Sequence, residues 1–328
     1  MDNDRIHEVG ADSAGERLDK WLAAPERLGS RKRAAQALER GKVFVDGEVQ
    51  TLRDGGRPVK VGSRVRVWLD RPGTAKPSGL SKPAVAKRVL GRLKIVHDDE
   101  DLIVIDKPAG LLTVPREGSD GHDDTVLARL EAALDRQQRR RLFIVHRIDR
   151  WTTGLVVVAR SAAMQEVLRE QFFRRTPQRR YLTVLCGGPD EESGTWTDSL
   201  IADPQTRIQR RCRATEPGVE AISHFRVVER FGDRASLLQV DLVTGKRNQI
   251  RVQAALRGLP LIGERLYTSS HVTPTIEFTR QALHAHRLVF QHPRTGTPLE
   301  CVAPLPADMK KLLRRLREES GLAGSTTR

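Results

Sequence analysis

Cysteine is scarce in this chain, and the three present, Cys186, Cys212 and Cys301, lie far apart with no CxxC pair. That argues against a disulfide framework and a thiolate zinc site, and for a reducing, cytoplasmic setting. Aromatic residues make up only 4%, so stacking on a flat ligand must rest on a few specific rings. No apolar run approaches the roughly 20 residues of a membrane span. The opening stretch MDNDRIHEVGADSAGERLDK is too polar for a secretory signal peptide. No Gly-rich nucleotide fingerprint is found, and no set of ligands at metal spacing, so neither a nucleotide cofactor nor a metal is expected. The run His122-Asp123-Asp124 reads as a solvated loop.

Positive charge, by contrast, is plentiful. Lys and Arg number 57 against 42 Asp and Glu, a formal net charge of +15 and a pI near 10.4. A surplus of that size favours a polyanionic partner, nucleic acid or an acidic membrane face, over the plain alternative of a solvated charged surface. The 328 residues suffice for one large domain and a small one.

Residues 15–70 read as the small one. RLDKWLAA places Leu18, Trp21 and Leu22 at helical spacing. Ser30 can cap a second helix, RKRAAQALERG, packed through Ala34, Ala35, Ala37 and Leu38 and ended by Gly41. VFVDGEV is a hairpin around Asp46-Gly47, and VGSRVRVWL a further strand with Val65, Val67 and Leu69 on one face. This order of elements resembles the S-four-like (alpha-L) RNA-binding module named after a ribosomal small-subunit protein. By that resemblance Arg27, Arg31, Lys32, Arg33 and Lys42 would form a basic rim against folded RNA; otherwise the second helix is merely solvated. Residues 71–92, rich in Pro, Gly, Ser and Lys, read as a linker.

From 93 to 318 short apolar runs alternate with turns. KIVHDDEDLIVIDKP holds two strands, and LVVVAR, YLTVLC, HFRVVERF, ASLLQVDLV and HRLVFQHP supply more. TVLARLEAALD, AAMQEVLREQFFR and DMKKLLRRLREE read as helices, too few for a repeating parallel unit. The predicted fold class is α+β, a large domain on a mixed, largely antiparallel sheet preceded by a small α+β domain. The last eight or so residues are expected to fray.

Within this domain HRIDRWTTGLVVVAR, residues 146–160, sets a polar loop between apolar flanks, which would hold Arg147 and Asp149 at a sheet edge. Taken alone, Asp149 could equally cap a turn or pair with a structural arginine. The stretch nonetheless resembles the central motif of the RluA-type pseudouridine synthases. LVTGKRNQIRVQAALRGLPLIGE (242–264), RRYLTVL (179–185) and RQALHAHRLVFQHPRTGTPL (280–299) are similar to three further motifs of that family, in order. The resemblance implies an RNA-binding isomerase that turns uridine into pseudouridine without a cofactor.

It also implies roles. Asp149 is the catalytic carboxylate, Arg251 its partner, and Tyr181 the ring against the target base, although Tyr181 could be an ordinary core aromatic. Arg147 fills the space of the flipped base, and Ile148, Thr153 and Gly154 complete the substrate site. Lys246 and Asn248 depart from the family, which has arginine and histidine there, so no role passes to either. Trp151 also departs from it, and can stack on RNA or pack beside the loop. The Arg139–Arg141, Arg174-Arg175, Arg179-Arg180 and Arg210-Arg211-x-Arg213 runs are phosphate contacts if RNA binds.

A carboxylate suits an anomeric carbon, since it can attack that carbon or take the neighbouring 2′ proton. The expected substrate is structured RNA, ribosomal sooner than transfer, and the expected state a monomer. The alternatives are an RNA-binding protein of the same fold without activity, and a nucleoside hydrolase. A hydrolase would want a second carboxylate, for which the sequence offers no candidate.

Overall fold

Asp46 and Gly47 both adopt positive φ, 51° and 86°, the left-handed pair that lets a two-residue loop follow the twist of its strands. The computed structural model describes residues 4–39, 41–52, 54–68, 84, 88–90, 92–116, 118–119, 122–134, 141–268 and 276–321. The chain divides into two units, Met1–Gly79 with Gln291–Pro298, and Leu80–Phe290 with Leu299–Arg328.

The smaller unit contains β1 (Asp4–Glu8), α1 (Leu18–Leu22), α2 (Arg31–Glu39), β2 (Val43–Val45), β3 (Glu48–Gln50) and β4 (Arg64–Trp68). Its antiparallel sheet is ordered β1-β4-β2-β3. Leu18, Trp21 and Leu22 of α1 meet Ala34, Ala37 and Leu38 of α2 over Val43, Val65 and Val67, while Ala35 stays partly exposed. The amide of Arg33 donates to Ser30 Oγ at 3.2 Å, the expected cap. The sheet begins at Asp4, ahead of residue 15. DRIHE hides its strand character because Ile6 faces solvent, 57% exposed.

The larger unit runs β5 (Arg88–Leu90), β6 (Leu93–Asp98), β7 (Leu102–Lys107), α3 (Val126–Ala133), β8 (Phe143–Ile144), β9 (Thr153–Ala159), α4 (Ala162–Phe173), β10 (Gln178–Cys186), β11 (Ser193–Ala202) and β12 (Gln209–Arg211). It continues through β13 (Val219–Phe231), β14 (Ala235–Leu242), α5 (Gln249–Ala255), β15 (Leu283–Gln291), β16 (Pro298–Val302) and α6 (Ala307–Glu319). Ten strands form the path β12-β11-β13-β14-β10-β15-β9-β7-β6-β5, with β16 on β15 and β8 on β9. Neighbours along the path are antiparallel except β15 and β9, whose parallel ladder has only two registered pairs, His284 with Thr153 and Ala285 with Gly154. This is the mixed, largely antiparallel α+β sheet that the sequence predicts.

Several elements escape sequence patterning. Strand β11 buries Trp196, Asp198 and Leu200 on one face. An inward aspartate breaks the apolar alternation, and it is tolerated because Arg211, Arg257 and Gln253 all donate to it. The end of the supposed linker is not linker, since Arg88–Leu90 pairs with β6 and Ala84 bridges to Cys301. Linker residues 71–83, 85–87 and 91, together with Leu69, Arg139, Arg140 and the tail from 322, lie outside the described residues.

Candidate active site

The loop between β8 and β9 carries Arg147, Ile148 and Asp149, and a second loop pins it from below. The Lys107 ammonium, fully buried at the end of β7, donates to the carbonyls of Pro108 (3.0 Å), Leu111 (2.8 Å) and Arg150 (2.9 Å). Burial pushes its pKa down to about 7, against the attraction of Asp149. The Thr113 hydroxyl donates to the Ile148 carbonyl at 2.8 Å, and the Gly110 amide to that of Arg150 at 2.9 Å. Asp149 closes the turn through its own carbonyl, which accepts from the Thr152 amide at 3.0 Å. With backbone groups thus paired, the carboxylate is left to face outward.

Opposite stands α5. Its entry is set by Asn248, in the left-handed region at φ 54°. Buried Gln249 accepts from the Thr244 hydroxyl and the Lys246 amide and donates to Ile222 O and Ser223 Oγ. From the first turn of α5, Arg251 reaches Asp149, Nη1 to Oδ2 at 3.2 Å. The same Nη1 donates to Asn248 Oδ1 at 3.1 Å, and Nε and Nη2 donate to the two oxygens of Glu264, each at 2.7 Å. Burial alone would lower the Arg251 pKa, but Glu264 and then Asp149 raise it above its ordinary value. Glu264 is held below the usual carboxylate range, because Arg251 outweighs its own burial.

Tyr181 supplies the third wall. It sits on β10 beside Ala285 of β15, which is itself opposite Gly154 of β9, and the β10–β15 register slips between Arg180 and Tyr181. Such irregularities re-aim side chains beside sites. Burial pushes the Tyr181 phenol up to about 12, with Arg179 opposing and Asp149 reinforcing, so it is protonated at neutral pH. A cleft of about 220 Å³ is lined by Arg147, Ile148, Asp149, Thr152, Tyr181 and residues of the 245–250 loop. Cavities of about 150 Å³ accept benzene, so this one has room for one pyrimidine ring.

Of the expected residues, Asp149, Arg251 and Tyr181 come together here, with Arg147 exposed at the mouth and Ile148 as apolar floor. Thr153 and Gly154 do not line the cleft. The Thr153 hydroxyl is buried against His284 Nδ1 at 2.8 Å, and Gly154, at φ 113°, would put a Cβ 2.2 Å from the Ala285 carbonyl oxygen. Both serve the close approach of β9 to β15. Arg31, Lys32 and Arg33 are exposed on α2 of the smaller unit, and Lys42 is partly so. Arg27 leaves the expected rim, since it donates to Trp21 O and lies 3.6 Å from the centre of the Trp21 ring. Asp123 and Asp124 are taken by Arg116 and Arg129. Trp151 is half exposed and packs against Gly110.

Lys107 and Glu264 were not singled out from sequence. Lysine before proline reads as a strand end, and Glu264 stands in a segment similar to a family motif without a role attached. Asn248 gains a place as well, donating to Tyr267 Oη at 3.1 Å.

A carboxylate held by a guanidinium beside a cleft of one ring's size, with an exposed arginine at its mouth, is an arrangement suited to a flat ring carried on a polyanion. Residues 101–256 match the RNA pseudouridylate synthase family. A Synechocystis sp. protein described as an uncharacterised RNA pseudouridine synthase is 35% identical over 316 residues, 94% of this chain and 92% of that one. Ribosomal large subunit pseudouridine synthase D of Xanthomonas campestris is 34% identical, with 96% and 93% covered. In fold, human RNA pseudouridylate synthase domain containing 4 superposes with a TM-score of 0.56 at 20% identity over 68% of this chain and 92% of that one. The chain belongs to the RNA pseudouridylate synthase family, and is thus an RNA-modifying isomerase.

Proposed function

We propose that this enzyme isomerises a uridine in the RNA of the large ribosomal subunit, with Asp149 as its catalytic carboxylate. The observation that carries the reading is the 3.2 Å contact of Arg251 with Asp149, which lines a cleft together with Tyr181. The substrate follows the names of full-length relatives such as that of Xanthomonas campestris.

Pseudouridine formation breaks the bond between the anomeric carbon and N1 of uracil. The ring turns in place, C5 bonds to the anomeric carbon, and the C5 proton leaves. One oxygen of Asp149 serves either opening, attack on the anomeric carbon or removal of the 2′ proton. Arg251 orients that oxygen through the contact from its Nη1. Ile148 and the Tyr181 ring enclose the detached uracil, so that it re-attaches before water intervenes. Flipping the base out costs a few kcal/mol, which Arg147 offsets by occupying the gap.

Residues 15–70 act as an S-four-like RNA-binding domain in this reading, with Arg31, Lys32, Arg33 and Lys42 on the RNA, and 93–318 as the catalytic domain. A monomeric state and a cytoplasmic location belong to the same reading.

Asp149→Ala tests it on a deproteinised large-subunit RNA transcript. Pseudouridine formation should fall by at least about a thousand-fold while RNA affinity is kept, because the positive surface supplies that affinity. Persisting conversion by the variant would remove Asp149 from the chemistry.

A further inference from the structure

A second depression opens beside the cleft, about 460 Å³ in volume, sharing Arg147, Tyr181, Leu242, Gly245 and Lys246 with it. Its far wall is the end of α4. Phe173, the last residue of that helix, also lines this groove and is 81% exposed, the most exposed of the large apolar residues described. In a chain so poor in aromatics, such a ring held at the mouth of a catalytic groove is unusual.

The helix end is costly in a second way. The Thr176 amide returns to Gln171 O at 3.1 Å and that of Arg175 to Phe172 O at 3.2 Å, a pattern whose pivot is normally glycine. Here the pivot is Arg175, at φ 59°, a conformation that disfavours any side chain. The chain keeps an arginine where glycine would fold better, and that arginine lines the groove.

Charge separates this wall from its surroundings. Arg174 pairs with Glu170 and Arg180 with Asp241. Among the described residues, by contrast, Arg147, Arg175 and Lys246 have no carboxylate partner and no acidic residue lines the groove. Arg179 lies deeper, its pKa lowered by burial and then by Arg175. His146, stacked on Phe172 at 4.5 Å between ring centres, is pushed by burial to about 3 and stays neutral. An uncompensated cationic pocket with a free aromatic face matches one chemistry, a flat base joined to a phosphodiester.

We infer that this groove holds the ribonucleotide adjoining the target uridine, its base stacked on Phe173 and its phosphate held by Arg175 and Lys246. The inference rests on the RNA-modifying reading above and adds a specificity subsite to it.

Two fluorescein-labelled probes of equal charge test it by anisotropy: decauridylate, and a decamer of abasic ribose phosphates. Phe173→Ala should weaken decauridylate binding about five-fold or more and leave the abasic decamer unchanged. Phe173→Tyr should restore the wild-type preference, and Phe173→Leu should not. Arg175→Gly should weaken both probes and reduce the salt slope of log affinity by about 0.7, with thermal stability equal or higher. Equal binding of decauridylate by wild type and Phe173→Ala, or rescue by leucine, overturns the stacking and hands the ring to a protein partner or to packing. An unaltered salt slope in Arg175→Gly overturns the phosphate contact. Uridine conversion by the wild type on ribosomal RNA is scored separately, so failure of the enzymatic reading and failure of the subsite are told apart.

Discussion

Glu264 accepts two parallel hydrogen bonds from Arg251, both 2.7 Å long, while Asp149 receives only the longer 3.2 Å contact from the remaining nitrogen. The guanidinium is anchored by one carboxylate so that it can present itself to another. Glu264 is itself fixed by the amides of Arg265 and Leu266, at 3.0 and 2.8 Å, and is nearly fully buried, so the anchor has little freedom.

Glu264→Gln therefore should act on catalysis through Arg251. A neutral amide cannot hold both nitrogens, and the arginine is expected to swing toward Asp149 or away from it. Single-turnover rates per folded molecule should fall about 10- to 100-fold with RNA affinity unchanged, and denaturant melts should show a loss of about 3 kcal/mol. A wild-type rate in the folded variant would show that Asp149 does not depend on this anchor.

The phenols give a pH signature. Burial raises Tyr267 as well as Tyr181, and these are the chain's two tyrosines. For Tyr181 the folded value, about 12, lies above the unfolded value of 10.0. The associated stability is fully present below pH 10 and is lost as pH rises toward 12, about 3 kcal/mol in all. Tyrosinate absorbance should appear late in the folded protein and near pH 10 in denaturant. Ionisation of both rings at the ordinary phenol value while the fold persists would contradict their burial.

Lys107→Met preserves bulk but strands the carbonyls of Pro108, Leu111 and Arg150. Each unsatisfied carbonyl costs about 1–3 kcal/mol before relaxation, so a net loss near 3 kcal/mol is expected in urea melts. Hydrogen exchange at the Thr152 and Gly110 amides should accelerate together, because both loops share this one cation. Unchanged exchange at both would mean that the ammonium does not tie the loops.

Gly154→Ala meets two obstacles at once, a φ of 113° and a carbonyl 2.2 Å from the new methyl carbon. About 3 kcal/mol or more of stability should be lost, with activity per folded molecule falling as β9 moves from β15. A melt matching the wild type would show that the two strands can part without penalty.

Much of this was legible in the residues themselves. Leu18, Trp21 and Leu22 announced a helix by spacing, Asp46-Gly47 a turn by its need for positive φ, and the 146–160 stretch a polar loop bracketed by buried strand. These are local properties, set by period, turn chemistry and cap within a few residues. Strand β11 was not legible, because its inward Asp198 is satisfied by Arg211, Arg257 and Gln253 from other elements.

The sequence by itself determined which side chains are on offer: an acid at 149, an arginine at 251, a phenol at 181 and a surplus of positive charge. Only the tertiary structure decided which groups share a cleft and which merely pack. It gave Thr153 and Gly154 to the strand crossing, took Arg27 out of the basic rim, and made Lys107 and Glu264 supports of the site. The reason is that contacts spanning 43 residues, as from Lys107 to Arg150, or 102, as from Asp149 to Arg251, leave no local period or motif to read.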